Sequence, residues 1–103
     1  MTAFFIAHVN VNDRKAFREY ERGVLQTIKP FQGRVLAAAP STRLDGADAR
    51  NHNVIISFPT EADAQGWWDS ADYQAIIPIR ETHAPGADAM IVPGLEPRTS
   101  SKA

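Results

Sequence analysis

The stretch "AFFIAHVNVNDRKAFREYERGVLQTIK", Ala3 to Lys29, decides how this chain is built. Its first seven residues, Ala3 to Val9, are almost all apolar and stop at the polar "NVND", which reads as a buried strand. Asp13 then offers a carboxylate to the orphaned N–H groups of a following helix. Phe17, Tyr20, Val24 and Ile28 recur at spacings of three and four, so they share one helical face. Arg14, Lys15, Arg18, Glu19 and Arg22 fall mostly elsewhere and read as a solvated face. Pro30 is expected to end this helix, and Gly33 to allow the turn that follows.

Beyond this β-α unit the pattern repeats in kind. Strand two is expected over Arg34 to Ala39. "PSTRLDGADARNHN" is polar and turn-rich, and Asp45-Gly46 within it signals a long-armed hairpin. Strand three is expected over Asn53 to Phe58 and is broken by Pro59. Thr60 caps a second helix, with Asp63 in the acid position of a capping box. Ala64, Trp67, Trp68 and Ala71 share one face of it. Ser70 breaks that helix and caps a second short piece carrying Tyr73, Ile76 and Ile77 inward. Pro78 lacks an N–H and should clash with the carbonyl of Gln74, so a stop or kink is expected there. Ala87 to Gly94 is the fourth strand. The order β-α-β-β-α-β predicts an α+β, ferredoxin-like fold: a four-stranded antiparallel sheet with both helices on one face. Residues 1–94 are expected to form one domain, and 95–103 a flexible tail with little to bury.

Two helices cover only one face of such a sheet. Yet the strands are apolar on both parities: Phe4, Ile6 and His8 alternate with Phe5, Ala7 and Val9, and Val54, Ile56 and Phe58 alternate with Ile55 and Ser57. A bare apolar sheet face marks an interaction surface. The economical expectation is a homodimer whose two open sheet faces pack together about a two-fold axis. The sequence leaves open which parity faces the helices.

Composition narrows the function classes. The 103 residues are 44% hydrophobic and 22% charged, with a net charge of −1, which describes a globular body. With an isoelectric point near 6.3 and no basic patch, nucleic acid is not an expected partner. The chain has no cysteine, which removes disulfides, thiolate nucleophiles and cysteine-based metal sites together. That fits a reducing compartment, and a cytoplasmic location is expected. The N-terminal run lacks a basic flank and is interrupted by His8, so a signal peptide is not expected. No apolar run is long enough to span a bilayer, so no membrane partner is expected.

"VNDRKAFREYE", "QGRVLAA", "LDG", "VIISFPT" and "AQGWWDSADYQAIIPIR" together resemble domain-of-unknown-function family 1330, within the dimeric α/β-barrel superfamily. The run from Trp67 to Arg80 carries the most specific part. It supplies Trp67, Trp68, Ser70, Tyr73, Gln74 and Arg80, with Ala71-Asp72 in place of the usual Pro-Glu. Two positions depart from the family pattern. His52 and Ser57 stand where an arginine at the start of strand three and a glutamate near its end are usual. The resemblance implies a barrel dimer with a cavity between sheet and helices. It also implies kinship with cofactor-free monooxygenases, haem-degrading enzymes, isomerase-like enzymes and non-enzymatic ligand binders, and fold alone does not choose among these.

The candidate site residues follow from chemical type and place. Arg80 follows an apolar helical piece. It reads either as a bidentate clamp for a carboxylate, or as an arginine that caps loop carbonyls or pairs with an acid in the dimer. Arg34 opens strand two and reads as a ligand contact or a loop anchor. Tyr73 shares its segment with Arg80, and a buried tyrosine, like Tyr20 on the first helix, needs a hydroxyl partner. Trp67 and Trp68 lie about 100° apart on a helix. Trp67 is expected to pack on the sheet, and Trp68 to cover a cavity mouth or meet a partner chain. His8, on an apolar strand, is the best general-base candidate because imidazole titrates near neutrality. It reads equally as a satisfied core histidine. His83 reads as a ligand contact, and, through the resemblance, as a haem ligand that the surrounding motif does not support. The three histidines lack metal-ligand spacing, so no metal site is expected, and no motif requires a cofactor.

The expected function is a pocket for a small organic acid or carbonyl compound. His8 and Arg80 would serve acid–base or oxygenase-like chemistry there, with Arg34, Tyr73, Trp68, Arg80 and His83 holding the ligand. The alternative is a module that binds without turnover or only dimerises.

Overall fold

In the computed structural model, residues 2–47 and 50–95 are described. Strand β1 spans Ala3–Val9, helix α1 Arg14–Thr27, β2 Arg34–Ala39, β3 His52–Phe58, α2 Glu61–Asp69, α3 Ala71–His83 and β4 Asp88–Pro93. The four strands form one antiparallel sheet in the order β2-β3-β1-β4, the α+β ferredoxin-like arrangement. The second helical segment is split at Ser70, so three α-helices cover one face. The expected tail at 95–103 lies outside the described residues except for Leu95, which is exposed.

Local chemistry sets each helix start. The Asp13 carboxylate accepts from the Ala16 N–H at 3.0 Å. Thr60 Oγ1 accepts from the Asp63 N–H at 3.0 Å and donates to the Asp63 carboxylate at 2.9 Å. Ser70 Oγ accepts from the Tyr73 N–H at 3.2 Å while donating to the Trp67 carbonyl at 2.7 Å. Ser70 therefore ends one helix and starts the next.

Three expectations need correction. Helix α1 ends at Thr27, and Pro30 sits in a separate 3-10 turn over Lys29–Phe31. The left-handed residue of the following turn is Gln32, with φ 58°. Gly33 is required instead for close approach, because a Cβ there would lie 2.8 Å from both Ile28 and Phe58. Lastly, α3 runs through Pro78 to His83. The missing Pro78 donor costs one helical bond, but α3 is held on both sides of it. Tyr73 is anchored to α1 through the Tyr20 hydroxyl. Beyond Pro78, Thr82 Oγ1 donates to the Pro78 carbonyl at 2.9 Å and the Asn12 N–H donates to the His83 carbonyl at 2.7 Å.

The register settles strand parity. Phe5 faces Ile56, Ala7 faces Val54 and Val9 faces His52, and all but Val54 are buried beneath the helices. Phe4, Ile6 and His8 point to the open face with Ser57, Ile55 and Asn53 beside them. From β4, Met90 and Val92 join that open face, at 43% and 40% exposure. No helix among the described residues is long and apolar enough to cross a membrane.

Candidate functional site

Helix α1 packs mainly against α3, and the space between α1 and the strands below it stays open as a cavity of about 310 Å³. Gly23 permits that helix pairing, since a Cβ there would come within 2.9 Å of the Ile76 side chain. Most of the wall is apolar, with Phe5, Phe17, Val54 and Ile56 among its residues. Its polar atoms come from Tyr20, Glu21, Tyr73 and Arg80.

Sequence spacing explains why Tyr73 and Arg80 meet there. Seven residues are close to two helical turns, so both project from the same face. This holds only because α3 is continuous through Pro78.

The Tyr20 and Tyr73 hydroxyls lie 2.7 Å apart, buried. Burial drives the Tyr20 phenol far above its ordinary range, helped by the adjacent Tyr73 and opposed by the Arg80 charge. Burial likewise raises Tyr73, while Tyr20 and Arg80 pull it down. Both phenols thus keep their protons at neutral pH. The pair holds two protons, and its mutual bond uses one, which leaves one O–H donor free. Arg80 adds another, because its buried Nε has no hydrogen-bond partner. Two unused donors on an apolar wall are an arrangement for binding an acceptor oxygen: a carboxylate, a carbonyl or the oxyanion derived from one.

The two tryptophans divide as their helical angle requires. Trp67 is fully buried, with the Tyr73 ring 4.2 Å and the Phe5 ring 4.9 Å from it. Its indole N–H donates to Thr27 Oγ1 at 3.0 Å, and that hydroxyl donates to the Val24 carbonyl at 3.1 Å. Trp68 is half-buried and lines both the cavity and a shallower groove beside Glu61, Gln65 and Met90.

The structure brings Tyr73, Trp68 and Arg80 together at the cavity. His8 and Arg34 lie on the opposite face of the sheet. Asn53 Nδ2 donates to the Ala39 carbonyl, so its Oδ1 is the acceptor for His8 Nδ1 at 2.7 Å. That fixes the tautomer of neutral His8, with the proton on Nδ1. His83 ends α3, its carbonyl holds the Asn12 N–H, and it does not line the cavity.

Two groups escaped the sequence reading. Glu21 lines the cavity from α1. Its signal was available, since Phe17, Glu21 and Leu25 follow at spacings of four along the flank of the apolar stripe. His52, noticed only as a departure from a family pattern, is 2% exposed beneath α1. Its ring meets Phe17 edge-on, and Nε2 lies 3.5 Å from a Glu21 oxygen. Burial lowers its pKa, Glu21 opposes that shift and Arg14 adds to it.

Comparisons with solved structures support the same architecture. A protein of unknown function from Rhodopseudomonas palustris superposes with a TM-score of 0.76 at 15% identity, covering 93% of this chain and 84% of that one. A dimeric ferredoxin-like protein of unknown function from Jannaschia sp. CCS1 gives 0.72 at 8% identity, covering 89% and 98%. A cofactor-independent oxygenase from Streptomyces nogalater gives 0.64 at 10% identity, covering 93% and 95%. Such identities speak for the fold alone. No curated protein matches the sequence. The profile of the domain of unknown function DUF1330 matches residues 2–95, nearly the whole sequence with the cavity-lining helices included, and the chain belongs to that family.

Proposed function

We propose that this chain is a homodimeric small-molecule protein whose helix-side cavity takes a small organic acid or carbonyl compound, for acid–base or oxygenase-like chemistry. One observation carries the reading: an apolar cavity is lined by Arg80, whose buried Nε–H lacks a partner, and by the Tyr20–Tyr73 pair with its spare O–H. Arg80 anchors the ligand oxygen, the tyrosine pair shares its charge, and the aromatic walls exclude water. The dimeric ferredoxin-like neighbours support pairing through the open sheet face, where Phe4, Ile6, Ile55, Met90 and Val92 form an apolar surface. The cofactor-independent oxygenase among the neighbours shows that a chain of this fold can carry oxygenase chemistry.

A second reading, binding without turnover, has its own support. His8, the imidazole that sequence nominates as a base, faces away from the cavity. A thermal-shift panel of aromatic and aliphatic carboxylates and 2-oxo acids tests the binding. Stabilising ligands are expected to lose their effect in Arg80→Ala, with the dimer intact by analytical ultracentrifugation. If Arg80→Ala instead unfolds or dissociates the protein, Arg80 is structural and the clamp is wrong.

A further inference from the structure

His52 lies buried beneath α1 and is not among the residues lining the cavity. Both of its ring nitrogens are buried and lack a hydrogen-bond partner. An apolar residue would fill the same space beside Val9, Val54 and Phe17 without stranding two polar atoms, so the imidazole costs stability where it stands. The nearest polar group is the carboxylate of Glu21, 3.5 Å from Nε2, and Glu21 also lines the cavity. Glu21 thus brings a carboxylate acceptor to a wall where the tyrosine pair and Arg80 supply donors.

We propose that Glu21 is the proton acceptor of this cavity, that His52 is its positioning residue, and that the ligand is a carbonyl compound with an acidic C–H. This inference rests on the reading of the cavity as a ligand site. The ligand oxygen sits on Arg80 and the free tyrosine O–H. Its C–H bond breaks, the electron pair moves into the carbonyl as an enolate, and the proton ends on a Glu21 oxygen. Returning that proton to the same carbon or to a neighbouring position restores the carboxylate, so the step needs neither oxidant nor reductant. His52 stands behind the carboxylate and limits its movement. The charged groups facing His52 from α1 are Glu21 and Arg14, while its sheet neighbours Val9 and Val54 are uncharged.

Phenylpyruvate is a suitable probe, with an aryl ring for the walls, a 2-oxo group for Arg80 and the tyrosine O–H, and an enolisable methylene. Trp67 and Trp68 both line the cavity, so quenching of tryptophan fluorescence reports binding. Deuterium wash-in at the methylene, followed by NMR in D2O, reports proton transfer. The wild-type chain is expected to quench and to exchange above the buffer rate. Glu21→Gln should bind within about threefold of wild type and lose about a hundredfold in exchange, the scale of a general base. His52→Phe should bind, exchange more slowly and shift the acid limb of the pH–rate profile. His52→Gln serves the same purpose if the phenylalanine variant misfolds by circular dichroism. Absent quenching in wild type overturns the cavity reading and this inference together. Quenching without exchange, or exchange unchanged in Glu21→Gln, overturns the proton acceptor alone. An unshifted profile in a folded, binding-competent His52 variant removes the positioning role.

Discussion

The two faces of the sheet are built from nearly the same residue types and do opposite things. Beneath the helices, Phe5, Ala7, Val9, Ile56 and Phe58 are buried, and all but Phe58 line the cavity. On the other face, Ile6, Ile55, Met90 and Val92 retain partial exposure. Hydrophobicity therefore does not separate the covered face from the open face in this chain. What separates them is which side the crossover helices fall on, and in a β-α-β unit the handedness of the connection sets that side.

The covered face is expected to respond most severely to truncation. Trp67→Ala removes a fully buried indole and the donor held by Thr27. It is expected to cost about 3–5 kcal/mol in denaturant unfolding. On the open face, Ile55→Lys should leave the subunit folded by circular dichroism but weaken dimerisation by roughly a hundredfold or more. In the proposed pairing of open faces, that lysine would be an unpaired charge buried between two apolar sheets. Sedimentation at micromolar concentration should then show the monomer mass. If Ile55→Lys unfolds the chain while Trp67→Ala leaves it intact, the roles of the two faces are reversed.

Smaller effects sharpen the picture at the cavity. Tyr73→Phe takes one hydroxyl from the buried pair and leaves Tyr20 without its partner. The expected loss is about 1–2 kcal/mol of stability, together with weaker carboxylate binding in the thermal-shift panel. His52 gives the covered face a pH signature. Its pKa is lowered in the folded chain from the ordinary value of 6.5, so the unfolded chain binds the proton first as pH falls. Stability is full above pH 6.5 and declines below it, at no more than about 1.4 kcal/mol per pH unit. His52→Phe should flatten that decline in urea titrations run at successive pH values. At the small end, His8→Ala on the open face removes the bond to Asn53 and should cost monomer stability about 1 kcal/mol while leaving ligand binding unaltered.

Much of the fold was legible because its determinants are local. Asp13, Thr60 and Ser70 cap the helices that their side chains foretell, since each satisfies N–H groups within three residues. The Phe17–Tyr20–Val24 stripe marks the buried face of α1, and the alternation in β1 marks a strand. Pro78 misled for the opposite reason. Its local cost is real, but attachments on both sides of it hold α3 together. The site was legible in part. Tyr73, Trp68 and Arg80 share one segment and meet at the cavity. His8 and Arg34 looked equally suitable by chemistry, yet pleat parity sends them to the other face.

The sequence by itself determined the elements, their order, the split of the second helix at Ser70 and the excess of apolar strand surface over what two helices can cover. These follow from periodicity, capping and area, which are properties of neighbours along the chain. Only the tertiary structure decided strand parity, the continuity of α3 through Pro78, and the meeting of Tyr20 with Tyr73 and of Glu21 with His52. Those are contacts between residues 31 to 53 positions apart, formed by how α1 settles over the sheet and against α3. No local propensity encodes that placement. Packing of the assembled elements selects it.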